Sequence, residues 1–321
     1  MSQTCGICGN PESNRHFIAR EMMIGRRILF NYFICGNCGC LQIQDPPNNL
    51  DEFYPDTYYS FNQKLLTKNN KIQKWIAYQR TNYALFNNGI IGAILHSIHT
   101  NPVLRLISKT NLKYNAKVLD VGCGSGNILY AMAHSGMKNL KGIDPYIKES
   151  IQYDNGLVIE KKELANEVPG WDLIMLHHVL EHMDNQLEQM KLIYEKLNND
   201  GVCLIRIPTV SSYAWEKYQT NWVSLDAPRH FYLHSKKSFE LLVEKAGFYI
   251  DHIEFDSTEF QFWGSEQYVM DIPLMDSKSY LLNPNDSIFS KAQIANFKLQ
   301  SRKLNQKEKG DQFVAYLKKK K

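Results

Sequence analysis

The sequence predicts an α/β chain: an open, mostly parallel sheet with helices on both faces, preceded by a small metal-stabilised ribbon. Three observations carry this expectation. From Lys117 to Pro208, short apolar runs alternate with helical patterns, as strand–helix repeats do. A glycine-rich turn, "VLDVGCGSGN" (118–127), closes the first of these strands. Near the start, "CGICGN" and "CGNCGC" are two copies of Cys-x-x-Cys-Gly.

With 321 residues the chain has room for one large domain and a small one, and 44% hydrophobic against 22% charged residues implies a packed core. The net charge of +4 is too small to argue for a nucleic-acid partner, and the basic run Lys318–Lys321 reads as a solvated tail. "MSQTCGICGN" lacks the charged-then-apolar pattern of a signal peptide, and no window approaches the roughly 18 apolar residues of a membrane span. An odd count of seven cysteines without such a signal points to a reducing, cytoplasmic setting. Nothing in the sequence sets an oligomeric state.

The ribbon comes first. Two-residue spacing turns paired thiolates toward one ion, so Cys5, Cys8, Cys35 and Cys38 form a four-sulfur set suited to structural Zn²⁺, with iron the competing metal. The glycines that follow each knuckle are expected to let a backbone N–H donate to sulfur. Cys40 reads as a bystander. A segment of about 45 residues is too small to bury an adequate core unaided, which favours a folding role for the metal over a nucleic-acid grip. "DPPNNLDEFYPDTYYSF" (45–61) then reads as a boundary loop whose tyrosines pack between domains or floor a pocket. Between Lys71 and Leu106 the apolar spacing predicts covering helices, with breaks at Gly89 and Gly92 and punctuation at Pro102.

The core follows. Val118–Val121 is a strand ended by the glycine turn, Gly136 stops the next helix, and "LKGIDP" is a second strand ending at Asp144. Asp144 lies 20 positions past Gly124, the spacing at which an acid reaches the ribose of a nucleotide cofactor. The turn places glycines at 122, 124 and 126, which is not the Gly-x-Gly-x-x-Gly of a pyrophosphate loop. Asp120, just before it, would repel a pyrophosphate but can accept from an ammonium. Those features select S-adenosylmethionine over a dinucleotide.

On these residues the chain resembles a class I S-adenosylmethionine-dependent methyltransferase. "VLDVGCGSG" resembles that family's first motif and "GIDP" its second-strand motif; "WDLIMLHHVLEHM" and "NNDGVCLIRIP" are similar to its fourth and fifth strands. The resemblance implies a Rossmann-like, seven-stranded sheet with its last strand antiparallel. It also implies that Asp120, Gly122 and Gly124 line the methionine end of the cofactor and that Asp144 holds the ribose, with Gly126 a further cofactor-binding residue. Pro145 or Tyr146 would flank the adenine, with Glu163 the nearest match to the residue that meets its amine. "LHHVLEH" stands where enzymes that methylate exocyclic amino groups of bases often carry Asn/Asp-Pro-Pro-aromatic.

Methyl transfer to oxygen or carbon needs a proton acceptor near the strand ends. "LHHVLEHM" offers His177, His178, Glu181 and His182; His177 is assigned to the cofactor, and His178 and Glu181 to catalysis. If a helix begins there, His178 shares a face with Glu181 and His182. "SYAWEKYQTNWVSLDAPRHFYLHS" (212–235) follows the fifth strand and is dense in aromatic and basic residues. From it come His230 as a general base and Arg229 as a fork for a substrate phosphate or carboxylate; Trp222 and Tyr232 are candidate substrate-binding residues. The competing reading is that Asp226 pairs with Arg229 and His230 orders the loop. Ser235 and Gly247 cap and stop the next helix. "FYIDHIEFDS" is strand six, Glu266 and Tyr268 are candidate pocket-wall residues, a helix runs from about 287 to 303, and "GDQFVAYLKK" is strand seven.

"Pro-Arg-His-Phe-Tyr" also resembles a run in methyltransferases of bacterial polysaccharide and deoxysugar clusters, some of which carry an N-terminal zinc ribbon. That resemblance implies His230 as base and a nucleotide-linked or glycan sugar as acceptor, at oxygen or carbon. This chain lacks the second α/β domain of the sugar C-methyltransferases, which leaves O-methylation open. The expected organisation is a ribbon over 1–45, a linker and helical cover over 46–112, a cofactor-binding core over 113–257, and a lid insertion, helix and closing strand over 258–321. The competing functions are an RNA methyltransferase whose ribbon holds the RNA, and a cofactor-binding scaffold without catalysis.

Overall fold

A computed structural model describes residues 4–54 and 70–320. Tyr58 and Tyr59 of the boundary loop lie outside the described residues.

The ribbon contributes β1 (Arg15–Arg20), β2 (Leu29–Ile34) and β3 (Leu41–Ile43), all antiparallel. The cover is three helices: α1 (Lys71–Phe86), α2 (Ile90–Ile98) and α3 (Pro102–Ser108). Asn70 starts α1 with a reciprocal capping box, and the chain turns into α2 through Asn87 and Gly89, at φ 53° and 92°. Gly92, expected to break the helix, lies inside α2. There it permits close approach, because a Cβ would stand 2.4 Å from the Gln79 carbonyl oxygen of α1. Pro102 opens α3, where its missing N–H costs nothing.

The core runs β4 (Val118–Val121), α4 (Asn127–Ala133), β5 (Leu140–Ile143), β6 (Ile151–Gln152), β7 (Val158–Glu160), β8 (Trp171–His177), α5 (Gln186–Lys196) and β9 (Leu197–Pro208). It continues through α6 (Tyr213–Tyr218), β10 (Tyr232–Leu233), α7 (Lys236–Lys245), β11 (Phe248–Phe255), α8 (Phe260–Val269), α9 (Lys291–Gln306) and β12 (Gln312–Lys319). The main sheet has the order β11-β12-β9-β8-β4-β5-β7-β6. Strands β4, β5, β7, β8 and β9 are parallel, and β12 inserts antiparallel between β9 and β11. This is the class I methyltransferase arrangement, Rossmann-like, with one strand more than the seven expected: β6, two residues antiparallel to β7. Chain order reverses between β4 and β8, so the crevice at their carboxyl ends is where an open α/β sheet receives ligand.

Both faces of the sheet are covered. One apolar layer, including Leu119, Ile174, Ile205, Phe239 and Phe313, lies under α5 and α7; the other, including Val118, Leu129, Leu173, Leu204 and Tyr316, lies under α1, α3 and α4. Ser235 caps α7 by accepting from the Ser238 N–H, and Gly247 follows its end at φ 88°.

The division at residue 45 is not a seam. β10 pairs antiparallel with β3, so the ribbon sheet is four-stranded, β1-β2-β3-β10, and its fourth strand belongs to the core. The stretch after 257, expected to include a lid, is packed against the ribbon in this structure. Trp263, Tyr268, Leu274 and Phe289 pack with Met22 and Met23 of the ribbon, and α8 lies against α6 and the 223–225 turn.

Candidate active site

Gly122, Gly124 and Gly126 sit at φ 66°, 54° and 76°, the left-handed region that side chains resist. A Cβ on Gly122 would meet Val179 at 2.6 Å, and one on Gly126 would meet Ile159 at 2.3 Å, so the turn is pressed onto the ends of β7 and β8. Asp144, just past β5, accepts from the Gly124 N–H at 2.8 Å and, with its other oxygen, from the Tyr146 N–H at 2.8 Å. Each oxygen keeps a further lone pair. Asp120 is buried; that burial, with the Asp144 charge beside it, pushes its pKa up to about 8.

His177 ends β8 across the crevice. Both its ring nitrogens are buried with no hydrogen-bond partner among the described residues, and burial, followed by the charges of Arg206 and His178, takes its pKa down to about 3. A neutral imidazole with two idle nitrogens, a glycine cradle and two acids fit an uncharged-ring, cationic-tail ligand such as S-adenosylmethionine. Tyr146 is exposed, and so is Glu163, just before a 3-10 turn at Leu164–Asn166.

No helix begins at His178. The residue adopts φ 56°, a strained value for a non-glycine, and a 3-10 turn spans Leu180–His182. The expected proximity still arises, with His178 Nδ1 3.3 Å from Glu181 Oε1. Burial would raise the Glu181 pKa, but the His178 hydrogen bond and the neighbouring histidines hold it at about 2; its Oε2 has no partner. His182 Nδ1 lies 2.9 Å from the Arg229 carbonyl oxygen and 3.1 Å from the Tyr54 hydroxyl. Its ring meets that of His230 edge-to-face at 4.6 Å. His230 is buried, its Nδ1 2.8 Å from the Ser224 carbonyl oxygen. His178, Glu181, His182 and His230 thus converge beside the cofactor crevice.

The other residues proposed from the 212–235 stretch and beyond do not join them. Arg229 is fully buried, and its fork is spent on Asp226 (2.5 and 2.9 Å), on Glu21 of the ribbon (3.2 Å) and on the Phe53 carbonyl (3.0 Å). It holds the loop together and has no face left for a substrate anion. Trp222 is buried too, donating to Asp311 at 3.0 Å. Tyr232 packs on the first knuckle, where a Cβ on Gly6 would meet its hydroxyl at 2.6 Å. Glu266 accepts from Tyr218 at 2.6 Å and Lys217 at 2.8 Å, and Tyr268 is buried in the ribbon contact. A cleft of about 420 Å³ between α1, α3 and α4, lined by Arg80, Asn101, Asn127 and His134 among others, contains none of the candidate residues.

At the ribbon, the Sγ atoms of Cys5, Cys8, Cys35 and Cys38 all lie within 4.8 Å of one another, with Cys5–Cys38 at 3.6 Å and Cys8–Cys35 at 3.5 Å. Zn–S bonds of about 2.3 Å in a tetrahedron put sulfurs about 3.8 Å apart, so the set fits zinc. As expected, a backbone N–H reaches a knuckle sulfur: that of Cys38 donates to Cys35 Sγ at 3.5 Å. Gly9 and Gly39 themselves donate to the Cys5 and Cys35 carbonyls, and Gln42, Asn10 and Asn37 side chains add further donors to the sulfurs. Cys40 stands outside the cluster.

Residues 96–253 match the family model described as "Methyltransferase domain". Among curated relatives, "EEF1A lysine methyltransferase 2" of Homo sapiens is 39% identical over 66 residues, 21% of this chain and 27% of that protein. "Ubiquinone biosynthesis O-methyltransferase" of Rickettsia bellii is 26% identical over 150 residues, 42% of this chain and 60% of that one. The chain thus spans less than two thirds of the length of these relatives. A solved S-adenosylmethionine-dependent methyltransferase from Archaeoglobus fulgidus aligns over 72% of this chain and 100% of its own, at 20% identity and a TM-score of 0.42. Residues 96–253, just under half of the chain, thus match a methyltransferase domain and lie in the Rossmann-like sheet that is joined to the four-cysteine ribbon.

Proposed function

We propose that the protein transfers a methyl group from S-adenosylmethionine to a hydroxyl of a nucleotide-linked or glycan sugar. The observation that carries the methyl-transfer reading is the pairing of the Gly122–Gly126 turn with the idle His177 ring at the β4/β8 crevice. When bound, the cofactor supplies an electrophilic methyl: the acceptor oxygen bonds to its carbon as the carbon–sulfur bond breaks, and the electron pair stays on sulfur. Asp120 in its ionised form receives the cofactor ammonium, and Asp144 the ribose hydroxyls. His178, Glu181, His182 and His230 provide the place for the acceptor's proton. Such a cluster serves an oxygen or carbon acceptor, which must lose a proton to react, better than an amine that has a free lone pair. The sugar class rests on the resemblance of Pro228–Tyr232 and of the ribbon to polysaccharide-cluster methyltransferases. C-methylation is the variant reading within it, and a cytoplasmic location accords with that class.

The RNA reading loses its main support at the ribbon. Arg20 and Arg27 are paired to Asp271 (2.8 and 3.1 Å) and Arg26 to Glu52 (2.9 Å), so these cations answer to the protein's own acids. The experiment is to incubate the protein with methyl-labelled S-adenosylmethionine, host small-molecule extract and host RNA, then fractionate. Label in the nucleotide-sugar or glycan fraction is expected. Label in RNA or in protein overturns the sugar class, and no transfer despite cofactor binding favours the non-catalytic scaffold.

A further inference from the structure

We propose that Glu181, His182 and His230 form a divalent-metal site of the two-histidine, one-carboxylate kind at the edge of the cofactor crevice. One carboxylate oxygen of Glu181 and one ring nitrogen from each histidine lie within 4.8 Å of one another. Bonds of about 2.1 Å to a single ion place neighbouring ligands about 3 Å apart, so side-chain adjustments of under about 2 Å complete the set.

Two independent features point to a ligand. The first is the tautomer of each histidine. His182 Nδ1 faces the Arg229 carbonyl at 2.9 Å and His230 Nδ1 faces the Ser224 carbonyl at 2.8 Å. A ring nitrogen against a carbonyl carries the proton, so in the neutral ring each Nε2 holds a lone pair, that of His230 with Asp226 Oδ2 3.8 Å away, and a carbonyl behind the ring is how metal-binding histidines are oriented. The second is Glu181, 1% exposed, whose Oε2 is buried with no partner among the described residues while Oε1 is held by His178. A buried carboxylate with one idle oxygen, within 4.8 Å of a ring nitrogen of each of two histidines, calls for a cation.

The loop that carries His230 is locked from behind. The Arg229 pairs with Asp226 and Glu21 tie it to the ribbon, which fixes the second histidine relative to the 3-10 turn bearing the first ligands. Two nitrogens and one oxygen suit borderline ions such as Mn²⁺, Fe²⁺, Co²⁺ or Zn²⁺, and three protein ligands leave open positions. The chemical role rests on the proposed methyl transfer: a cation there lowers the pKa of an acceptor hydroxyl. The hydroxyl proton then passes to Nε2 of His178, which Glu181 orients, and His230 serves as a ligand in place of base.

The test uses the full chain with its ribbon metal retained, titrated with Mn²⁺ and read by loss of the free-ion paramagnetic resonance signal. One site per chain is expected, weakened at least tenfold in Glu181→Gln and in His230→Gln, each checked for folding by retained S-adenosylhomocysteine binding. No uptake by the parent protein, or equal uptake by both variants, overturns the proposal. Anomalous scattering at the manganese edge from parent crystals gives a readout that needs no variant: a peak among Glu181, His182 and His230 supports the site, and a peak elsewhere overturns it. Mn²⁺ uptake without methyl transfer sinks the proposed function and leaves this site standing; methyl transfer without uptake does the reverse.

Discussion

Replacing Arg229 with Met keeps most of the side-chain volume and removes the one cation shared by two buried acids. Its partners Asp226 and Glu21 are 16% and 0% exposed at the side chain, and the Phe53 carbonyl loses its donor as well. Removing one member of a buried ionic group costs about 3–5 kcal/mol, because the remaining charge stays out of water. At about 2.1 cal/mol/K per residue, 321 residues give an unfolding entropy of about 0.7 kcal/mol/K, so the midpoint should fall by about 4–7 °C. The loss should depend on pH. In the parent, burial pushes the Asp226 pKa up, but Arg229 outweighs it and holds the carboxyl below its ordinary 3.8. That stability is present above the unfolded pKa and fades as pH falls through the folded one. Without Arg229, only the weaker pull of His230 and His182 opposes burial, and protonation relieves the orphaned acid, so the deficit is largest at pH 7–8 and narrows toward pH 4. Differential scanning calorimetry at several pH values reads both effects. A variant that melts within 1 °C of the parent but shows a raised KM would refute this reasoning and restore Arg229 as a substrate fork.

Other consequences follow from the same geometry. S-adenosylmethionine affinity should rise as pH rises through about 8, where Asp120 ionises, and Asp120→Asn should remove that dependence and weaken binding by about 10-fold or more in calorimetric titration. Gly126→Ala, strained at φ 76° and driving a methyl to 2.3 Å from Ile159, should cost about 2–4 kcal/mol in denaturant unfolding and abolish cofactor binding. His178→Ala should lower kcat by about 10²–10⁴ while S-adenosylhomocysteine affinity holds; an unchanged kcat removes it as proton acceptor. Stripping the ribbon metal with a zinc chelator that does not react with thiols should slow methyl transfer although no ribbon thiolate touches the chemistry, because β10 leads directly from His230 into the ribbon sheet. Limited proteolysis before and after stripping reads the same change.

The glycine turn, Asp120, Asp144 and the strand ends were legible because each depends on local pattern: an apolar run, a forced positive φ, a fixed spacing to the next strand. The cysteine set was legible for the same reason. The Asp226–Arg229 pair, three residues apart, was open to the sequence as the competing reading, but the partners that bury Arg229 and Trp222 are remote. Glu21 lies 208 positions from Arg229, and Asp311 lies 89 from Trp222. An aromatic, basic stretch after the fifth strand looks alike whether it faces a substrate or a second sheet. The ribbon's fourth strand, Tyr232–Leu233, was invisible for a related reason, since two residues carry no strand periodicity and their pairing with Leu41–Gln42 is long-range. His178 and Glu181 come together although the helix expected to align them is absent. The left-handed turn at His178 brings its ring to Glu181 instead.

The most direct test of the central claim is a crystal structure with S-adenosylhomocysteine. The account predicts its density at the carboxyl ends of β4 and β5, the amino-acid tail against Gly122–Gly126, the ribose at Asp144, and a partner for the His177 ring. Density in the cleft between α1, α3 and α4, or a cofactor that leaves His177 and Asp144 untouched, would contradict it.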